Sequence, residues 1–263
     1  MQSGEDITID LPEYNPNLIK APFAYTIKIA GFGAFAKKPE VRADYKGNSL
    51  VPTVTISGPG PIYYTTDGKE PTLQSSIYKA PFQLQQTATI KAKAFPAAGL
   101  PSSIATEKLS RYSWMKAVAP GPLQPGVAYK YYEPTDEDVS LASMKTAPVA
   151  KTGVSGIFTN EVKQRPEKFV IAFDGYIRIA KEGYYTFFTN SDDGSKLFID
   201  GVEIVDNDGD HGNTEKQGRA ALRKGFHKIA VQFFDGAGNN SLNVLMQPDG
   251  GEKLAIPASI LFH

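Results

Sequence analysis

The stretch Gly183–Asp210, GYYTFFTNSDDGSKLFIDGVEIVDNDGD, decides how the rest of the chain is read. Tyr184–Thr189, Lys196–Asp200 and Val202–Val205 are short β-branched and aromatic runs of strand length. Asp200-Gly201 between the last two is a two-residue turn signal, because Asp and Gly both tolerate positive φ. The loops around these runs are crowded with carboxylates. Between Ser191 and Asp210 stand seven acids, Asp192, Asp193, Asp200, Glu203, Asp206, Asp208 and Asp210, against one base, Lys196. Lys+Arg and Asp+Glu are balanced at 28 each over the whole chain, so this is a local concentration of negative charge.

Working outward, the same punctuation continues in both directions. Downstream, Arg219–Leu222, Phe226–Phe234 and Ser241–Gln247 read as strands, and upstream so does Phe169–Ile179. Ile229, Val231 and Phe233 point one way while Lys228, Ala230 and Gln232 point the other, and Leu242, Val244 and Met246 repeat the pattern. Many short strands separated by Gly, Asn and Asp favour an antiparallel sandwich or barrel. Residues 127–263 are therefore one domain, opening with VAYKYYE at Val127–Glu133. Helical periodicity is nearly absent. Thr135–Ser143, after Pro134, is the one place where a turn or two of helix is expected.

The boundary of that domain is Val118–Gly126, VAPGPLQPG, whose three prolines and two glycines break either regular structure and make residues 116–126 a short, stiff linker. Before it, residues 39–115 form a second all-β domain with strand candidates Val51–Ile56, Ile62–Thr65, Ala88–Phe95 and Thr106–Trp114. In the third, Ala88, Ile90, Ala92 and Ala94 share a face. Asp67-Gly68 is a tight-turn signal, and the bland role of a turn carboxylate is preferred for Asp67 over that of a catalytic acid. Residues 1–38 hold two strand runs, Ile7–Leu11 and Tyr25–Ala30, too few to close a core, and read as the tail of a preceding domain or a segment packed on the next. The expected fold class is all-β: two antiparallel β-sandwich domains in tandem behind a short strand-containing N-terminal segment.

Composition excludes several functions. With no net charge there is no basic stripe for nucleic acid. No apolar run approaches the roughly 20 residues that span a bilayer, so no membrane insertion is expected. The chain has no cysteine, which removes disulfides, thiol catalysis and thiolate metal sites. Met1–Glu5 is polar and not a signal peptide, and the chain reads as a piece of a longer protein on which an export signal is expected.

Two resemblances add to this. Ile62–Thr72 (IYYTTDGKEPT), with Ser76, Tyr78, Phe82 and Thr89–Phe95, resembles the small fibronectin type III-like sandwich at the C-terminus of bacterial chitobiases and β-N-acetylhexosaminidases, an accessory module without catalytic residues. Phe173–Ile177 (FDGYI), Gly183–Phe187 (GYYTF), Ser191–Ser195 (SDDGS), Leu197–Gly201 (LFIDG), Val205–Gly209 (VDNDG), His211-Gly212 and Gly225–Ile229 (GFHKI) follow one another as in the lectin-like β-sandwich of the anthrax protective antigen type. That family occurs in glycosidases, adhesins, proteases and toxins, and several members bind carbohydrate, some of them through Ca²⁺.

The chemistry of the acidic loops fits a hard cation. Adjacent carboxylates such as Asp192-Asp193 repel unless something positive or a set of donors compensates them, and Ca²⁺ takes six to eight oxygens. In the adhesins that this domain resembles, an Asp pair joined by a cis peptide holds the ion, an Asn and carbonyls of a second loop complete the protein's share, and vicinal sugar hydroxyls close the shell. Carried over, the resemblance implies Asp192 and Asp193 as metal and sugar ligands, with Asn239 or Asn240 of Asp235–Asn240 as the amide. Asp206, Asp208 and Asp210 are a second, weaker metal candidate. Their spacing matches the start of an EF-hand loop, but no closing Glu and no flanking helix follow. His211, in the same loop, is a candidate sugar contact. The alternative stays open that Ser191–Ser195 is only a demanding strand corner whose Asp side chains bond local amides, and that Lys196 neutralises the pair. His227 reads as structural, and Tyr129, Tyr131, Tyr132, Tyr184, Tyr185, Phe187 and Phe188 read as core before they read as a sugar-stacking platform. No paired-carboxylate, Ser/His/Asp or cysteine constellation points to catalysis. The expected function is a non-catalytic carbohydrate-binding accessory region of an exported glycoside hydrolase, of β-N-acetylhexosaminidase or α-L-fucosidase type, with glycan and the parent's catalytic domain as partners and a secreted, periplasmic or cell-surface location. The rival is a pair of structural or protein-interaction sandwiches that bind no sugar.

Overall fold

Runs that alternate with period two become strands whose inward residues meet in two large apolar cores, one per domain. The computed structural model describes residues 2–3, 6–7, 35–45, 49–135 and 137–263. At the N-terminus β1 (Gln2–Ser3) pairs antiparallel with β2 (Asp6–Ile7). The expected run Tyr25–Ala30, and Ile7–Leu11 beyond Ile7, lie outside the described residues.

The first domain comprises β3 (Glu40–Asp44), β4 (Thr53–Ser57), β5 (Ile62–Thr65), β6 (Ser76–Ile77), β7 (Phe82–Gln83), β8 (Ala88–Ala94) and β9 (Ala105–Leu109). Sheet β3-β4-β7 faces sheet β6-β5-β8-β9. Val41, Val54, Ile56, Ile62, Ile90 and Ala92 form the core between them. At the expected turn Gly68 takes φ 78°, and the Asp67 carboxylate accepts the Lys69 N–H at 3.1 Å. Asp67 is thus a turn residue. The run expected over Thr106–Trp114 stops at Leu109, and Trp114 starts a separate strand.

The second domain contains β10 (Trp114–Met115), β11 (Val127–Tyr132), β12 (Val149–Ser155), β13 (Phe169–Ile179), β14 (Gly183–Asp192), β15 (Ser195–Ile199), β16 (Val202–Asn207), β17 (Thr214–Leu222), β18 (Gly225–Asp235), β19 (Ser241–Pro248), β20 (Leu254–Ala255) and β21 (Leu261–Phe262). A five-stranded sheet runs β10-β17-β14-β19-β20. The opposing sheet runs β12-β11-β13-β18-β15-β16, with β21 beside β13. Between them lie Tyr131, Phe169, Phe173, Phe187, Leu197 and Phe233, all fully buried. β12 was not legible in the sequence because Val149–Ser155 carries no apolar alternation. It is an edge strand held by its ladder to β11, and Tyr129 covers Gly153 so closely that a Cβ there would sit 2.7 Å from the phenol oxygen. The expected helix is a 3₁₀ turn at Leu141–Lys145, displaced so that Val139 and Leu141 pack on Tyr132 and Phe234. Among the described residues no helix is long and apolar enough to cross a membrane.

The boundary between the domains lies earlier than the proline count implied. Trp114-Met115 pairs in parallel with Ala221-Leu222, Val118 bridges to Phe226, and Gln124 exchanges backbone hydrogen bonds with His263. Residues 114–126 therefore lie along the second domain. Proline removes a donor but leaves its carbonyl, so a Pro-rich segment can still bond a sheet edge.

Tyr184 joins the two domains. β14 turns Tyr185 and Phe187 into the core, so Tyr184 faces the outside of the five-stranded sheet, yet only 1% of it is exposed. Tyr45 and Tyr112 meet it edge-on with centroids 5.7 and 5.2 Å away, and Trp114 stacks on it at 6.1 Å. The Arg219 guanidinium lies 4.2 Å from its ring centroid and is held by Asp249 at 2.8 Å. Its hydroxyl donates to the Ser49 carbonyl. Burial, partly offset by Arg219, pushes the phenol up to about 12. Tyr184→Phe removes that one hydrogen bond and keeps the packing. It is expected to cost about 1 kcal/mol in urea denaturation, and an unchanged midpoint would count against the contact.

Candidate functional site

The acidic corner crosses from one sheet to the other. Ser191-Asp192 ends β14 in the five-stranded sheet, and Ser195 begins β15 in the seven-stranded one. The Asp192–Asp193 peptide bond is cis. Gly194 permits the crossing, because a Cβ there would lie 2.4 Å from the Phe234 ring and 2.7 Å from the Gly209 nitrogen. Its carbonyl accepts the Phe234 N–H at 3.0 Å. Beneath the corner the Ser191 and Ser195 hydroxyls are 2.7 Å apart, and Asn207 Nδ2 donates to Ser191 Oγ and to the Thr214 carbonyl.

The two aspartates of the pair do different work. Asp193 is buried, and its oxygens accept the backbone N–H of His211 at 3.0 Å and of Gly236 at 2.9 Å. One carboxylate thus ties the loop after β16 to the loop after β18. Asp192 is half-buried on the outward side of β14, opposite Ser241 of β19.

Asp235 completes the cluster, and sequence reasoning did not single it out. It ends β18 opposite Phe169, is fully buried, and neither carboxylate oxygen has a hydrogen-bond partner. Burial, and then the neighbouring charge of Asp193, push it up to about 7, with partial relief from the Lys168 backbone amide. The signal was present in the sequence: Ile229, Val231 and Phe233 define the inward face of β18, and Asp235 is the next position on it.

The other candidates fall into separate places. Asn240 Oδ1 accepts from Asn160 Nδ2 at 2.8 Å and Lys163 Nζ at 2.5 Å, while its Nδ2 donates to the Pro166 carbonyl. Its amide is taken up in pinning the loop, and Asn239 is the one left exposed. The His211 ring spans its own loop, with its nitrogens 3.0 Å from the Gly212 and Asn207 carbonyls. Lys196 does not reach the Asp192-Asp193 pair. It lies 3.1 Å from Glu203, 3.2 Å from Asp206 and 3.7 Å from Asp208. The Asp208 amide and Lys196 hold the Asp206 carboxyl below its ordinary range, so this second acidic cluster is compensated within the protein, and Asp210 stays exposed. At the opposite end of β15, Asp200 (φ 49°) and Gly201 (φ 80°) form the expected tight turn. Asp200 bonds the Lys228 amide and buried His227, a structural use of both residues. The seven aromatic candidates of the sequence are all buried.

One place at this corner leaves carboxyl groups without full compensation from the protein. Asp235 is a buried carboxyl with no partner within hydrogen-bond distance and only partial relief from the Lys168 backbone amide, near the charges of Asp193 and Asp192, and a cation placed there would compensate it. Among the described residues no three such side chains converge to a closed site. The remaining oxygens of a six- to eight-coordinate ion would come from carbonyls, Asn239 or a bound hydroxyl compound.

Two family profiles match separate stretches of the chain. Residues 44–106 match the profile of the chitobiase/beta-hexosaminidase C-terminal domain. A beta-hexosaminidase of Porphyromonas gingivalis is 29% identical over 188 residues, covering 67% of this chain and 23% of that protein. Similar solved structures include a PA14 sugar-binding domain from an RTX adhesin (TM-score 0.47, 17% identity, 53% of this chain and 98% of that one). Another is the Epithelial Adhesin 6 A domain from Candida glabrata in complex with Galb1-3GlcNAc (TM-score 0.43, 10% identity, 54% and 88%). The PA14 domain profile matches residues 123–258, more than half of the chain and the strands β11 to β20 that carry the acidic corner, and the chain therefore belongs to the PA14 domain family.

Proposed function

We propose that this chain is a non-catalytic carbohydrate-binding region of an exported glycoside hydrolase, and that it holds glycan at the Asp192–Asp193–Asp235 corner with Ca²⁺. The unpartnered, buried Asp235 carboxylate beside the Asp pair carries the reading. A bound Ca²⁺ would compensate the adjacent carboxylates and offer open positions to vicinal sugar hydroxyls. Asp193 keeps the two flanking loops in register, Asp192 faces outward to the ligand, and Asp235 supplies charge from below. Of the two parent classes expected, a β-N-acetylhexosaminidase is supported by the matched 44–106 domain and by the beta-hexosaminidase relative. Tethering a weak glycan site beside a catalytic domain raises the local substrate concentration.

The structural rival is favoured by one observation, that both oxygens of Asp193 are already bonded to amides. Melting with CaCl₂ or EDTA, followed by a glycan array on wild type and Asp192→Asn, separates the two. Binding at 100 times Kd stabilises by about 2.7 kcal/mol, so Ca²⁺ is expected to raise the wild-type Tm by several degrees and to be required for glycan retention. Asp192→Asn is expected to lose both. A wild type with no Ca²⁺ shift and no retained glycan leaves only the structural reading.

A further inference from the structure

The two sheets of the second domain end in four edge strands, and β12 differs from the other three. β10 and β20 are two residues long. β17 closes on β16 so tightly that a Cβ on Gly218 would meet the Ile204 carbonyl. β12 runs for seven residues, pairs with β11 on one side and, among the described residues, has no strand on the other. In an antiparallel ladder alternate residues turn their N–H and C=O away from the neighbour. About half of the backbone polar groups of β12 are therefore open to a further strand.

The side chains of β12 do little to keep a strand away and fit a second copy of themselves. Val149 and Val154 are 46% and 51% exposed. The strand has no proline, and Lys151 is its one charge. The register to β11 slips once, at Ala150, so Lys151–Ser155 is the regular part of the edge. A two-fold axis sets residues equidistant from it opposite one another. Centred on Lys151, it would oppose two ammonium groups, which is unfavourable. Centred on Gly153, it would leave no side chains to meet at the axis. Centred on Thr152, which is exposed, it sets the two threonines against each other, a favourable cross-strand pair, and places each Lys151 opposite a glycine. That register buries apolar Val154 beside the partner strand and brings no like charges together.

We propose that β12 is a dimerisation edge whose occupant is a second copy of this chain, added antiparallel about Thr152 so that the two seven-stranded sheets run on into one. The inference is independent of the carbohydrate reading. Analytical ultracentrifugation of the whole chain tests it. Wild type is expected to shift from one chain toward two between roughly 10 µM and 1 mM, the range of a small interface. Amide exchange on β12 is expected to slow over the same range. Thr152→Lys and Thr152→Glu each oppose like charges across the axis at an exposed position, and each is expected to weaken self-association about tenfold. An equimolar mixture of the two variants opposes unlike charges and is expected to regain wild-type association, which a merely misfolded variant would not do. A wild type that stays monomeric throughout the range overturns the proposal. So do variants that associate as wild type does, a mixture that gains nothing over its components, and slowed exchange confined to another edge.

Discussion

Asp193→Ala is expected to destabilise the protein by about 2–5 kcal/mol, because it orphans two amide donors at once. The carboxylate is 4% exposed, and its oxygens are the acceptors for His211 and Gly236, 18 and 43 residues away. Each amide that loses its buried acceptor carries the desolvation cost of an unpaired donor. Asp193→Asn keeps one acceptor oxygen and is expected to fall between alanine and wild type. Urea denaturation measures the difference. The loops after β16 and β18 should also lose amide hydrogen-exchange protection while β13 keeps its own, since the damage is local to the tie. An alanine variant within about 0.5 kcal/mol of wild type would show that the corner holds itself together without this carboxylate.

The second large effect is the pH and Ca²⁺ response of Asp235. Its folded-state value near 7 lies above the ordinary carboxylate value, with burial as the first cause. From roughly pH 4 to 7 the native state keeps a proton that the unfolded chain has released, so stability from this group is present at the acidic end and is lost as pH rises through that window. In EDTA, the wild-type Tm is expected to fall between about pH 5 and 8. Asp235→Asn, neutral throughout, should flatten that fall and be the more stable protein near pH 8. With Ca²⁺ the order should reverse, since the ion favours the charged carboxylate and the amide gives it nothing to bind. A variant that keeps the wild-type pH slope, or its full Ca²⁺ response, would remove Asp235 from the site.

Asp192 and Asp193 were legible in the sequence as a pair because adjacent carboxylates are anomalous wherever they stand. Their division of labour was not. Alternation along β14 places Asp192 outward opposite Ser241, while the crossing between sheets buries Asp193. Asn240 was a ligand candidate through the resemblance, yet its oxygen faces Lys163 and Asn160, residues from a segment 77 and 80 positions earlier. Lys196 stood open as a partial neutraliser of the pair, yet its ammonium meets Glu203, Asp206 and Asp208, because β15 pairs with β16 and sets Lys196 opposite Asp206. Trp114 was assigned to the first domain by its neighbours along the chain, and a parallel pairing with Ala221 carries it to the second.

The sequence by itself determined the all-β class, the strand faces, the Asp200-Gly201 turn and the glycine at the Ser191–Ser195 corner. Each of these follows from side-chain period and backbone φ, which are properties of a few consecutive residues. Tertiary structure alone decided which acids are tied, which are neutralised and which is left buried without a hydrogen-bond partner. Compensation of charge and of hydrogen-bonding groups acts through space at about 3 Å. At this corner it joins residues up to 43 positions apart, as it does Asp193 and Gly236.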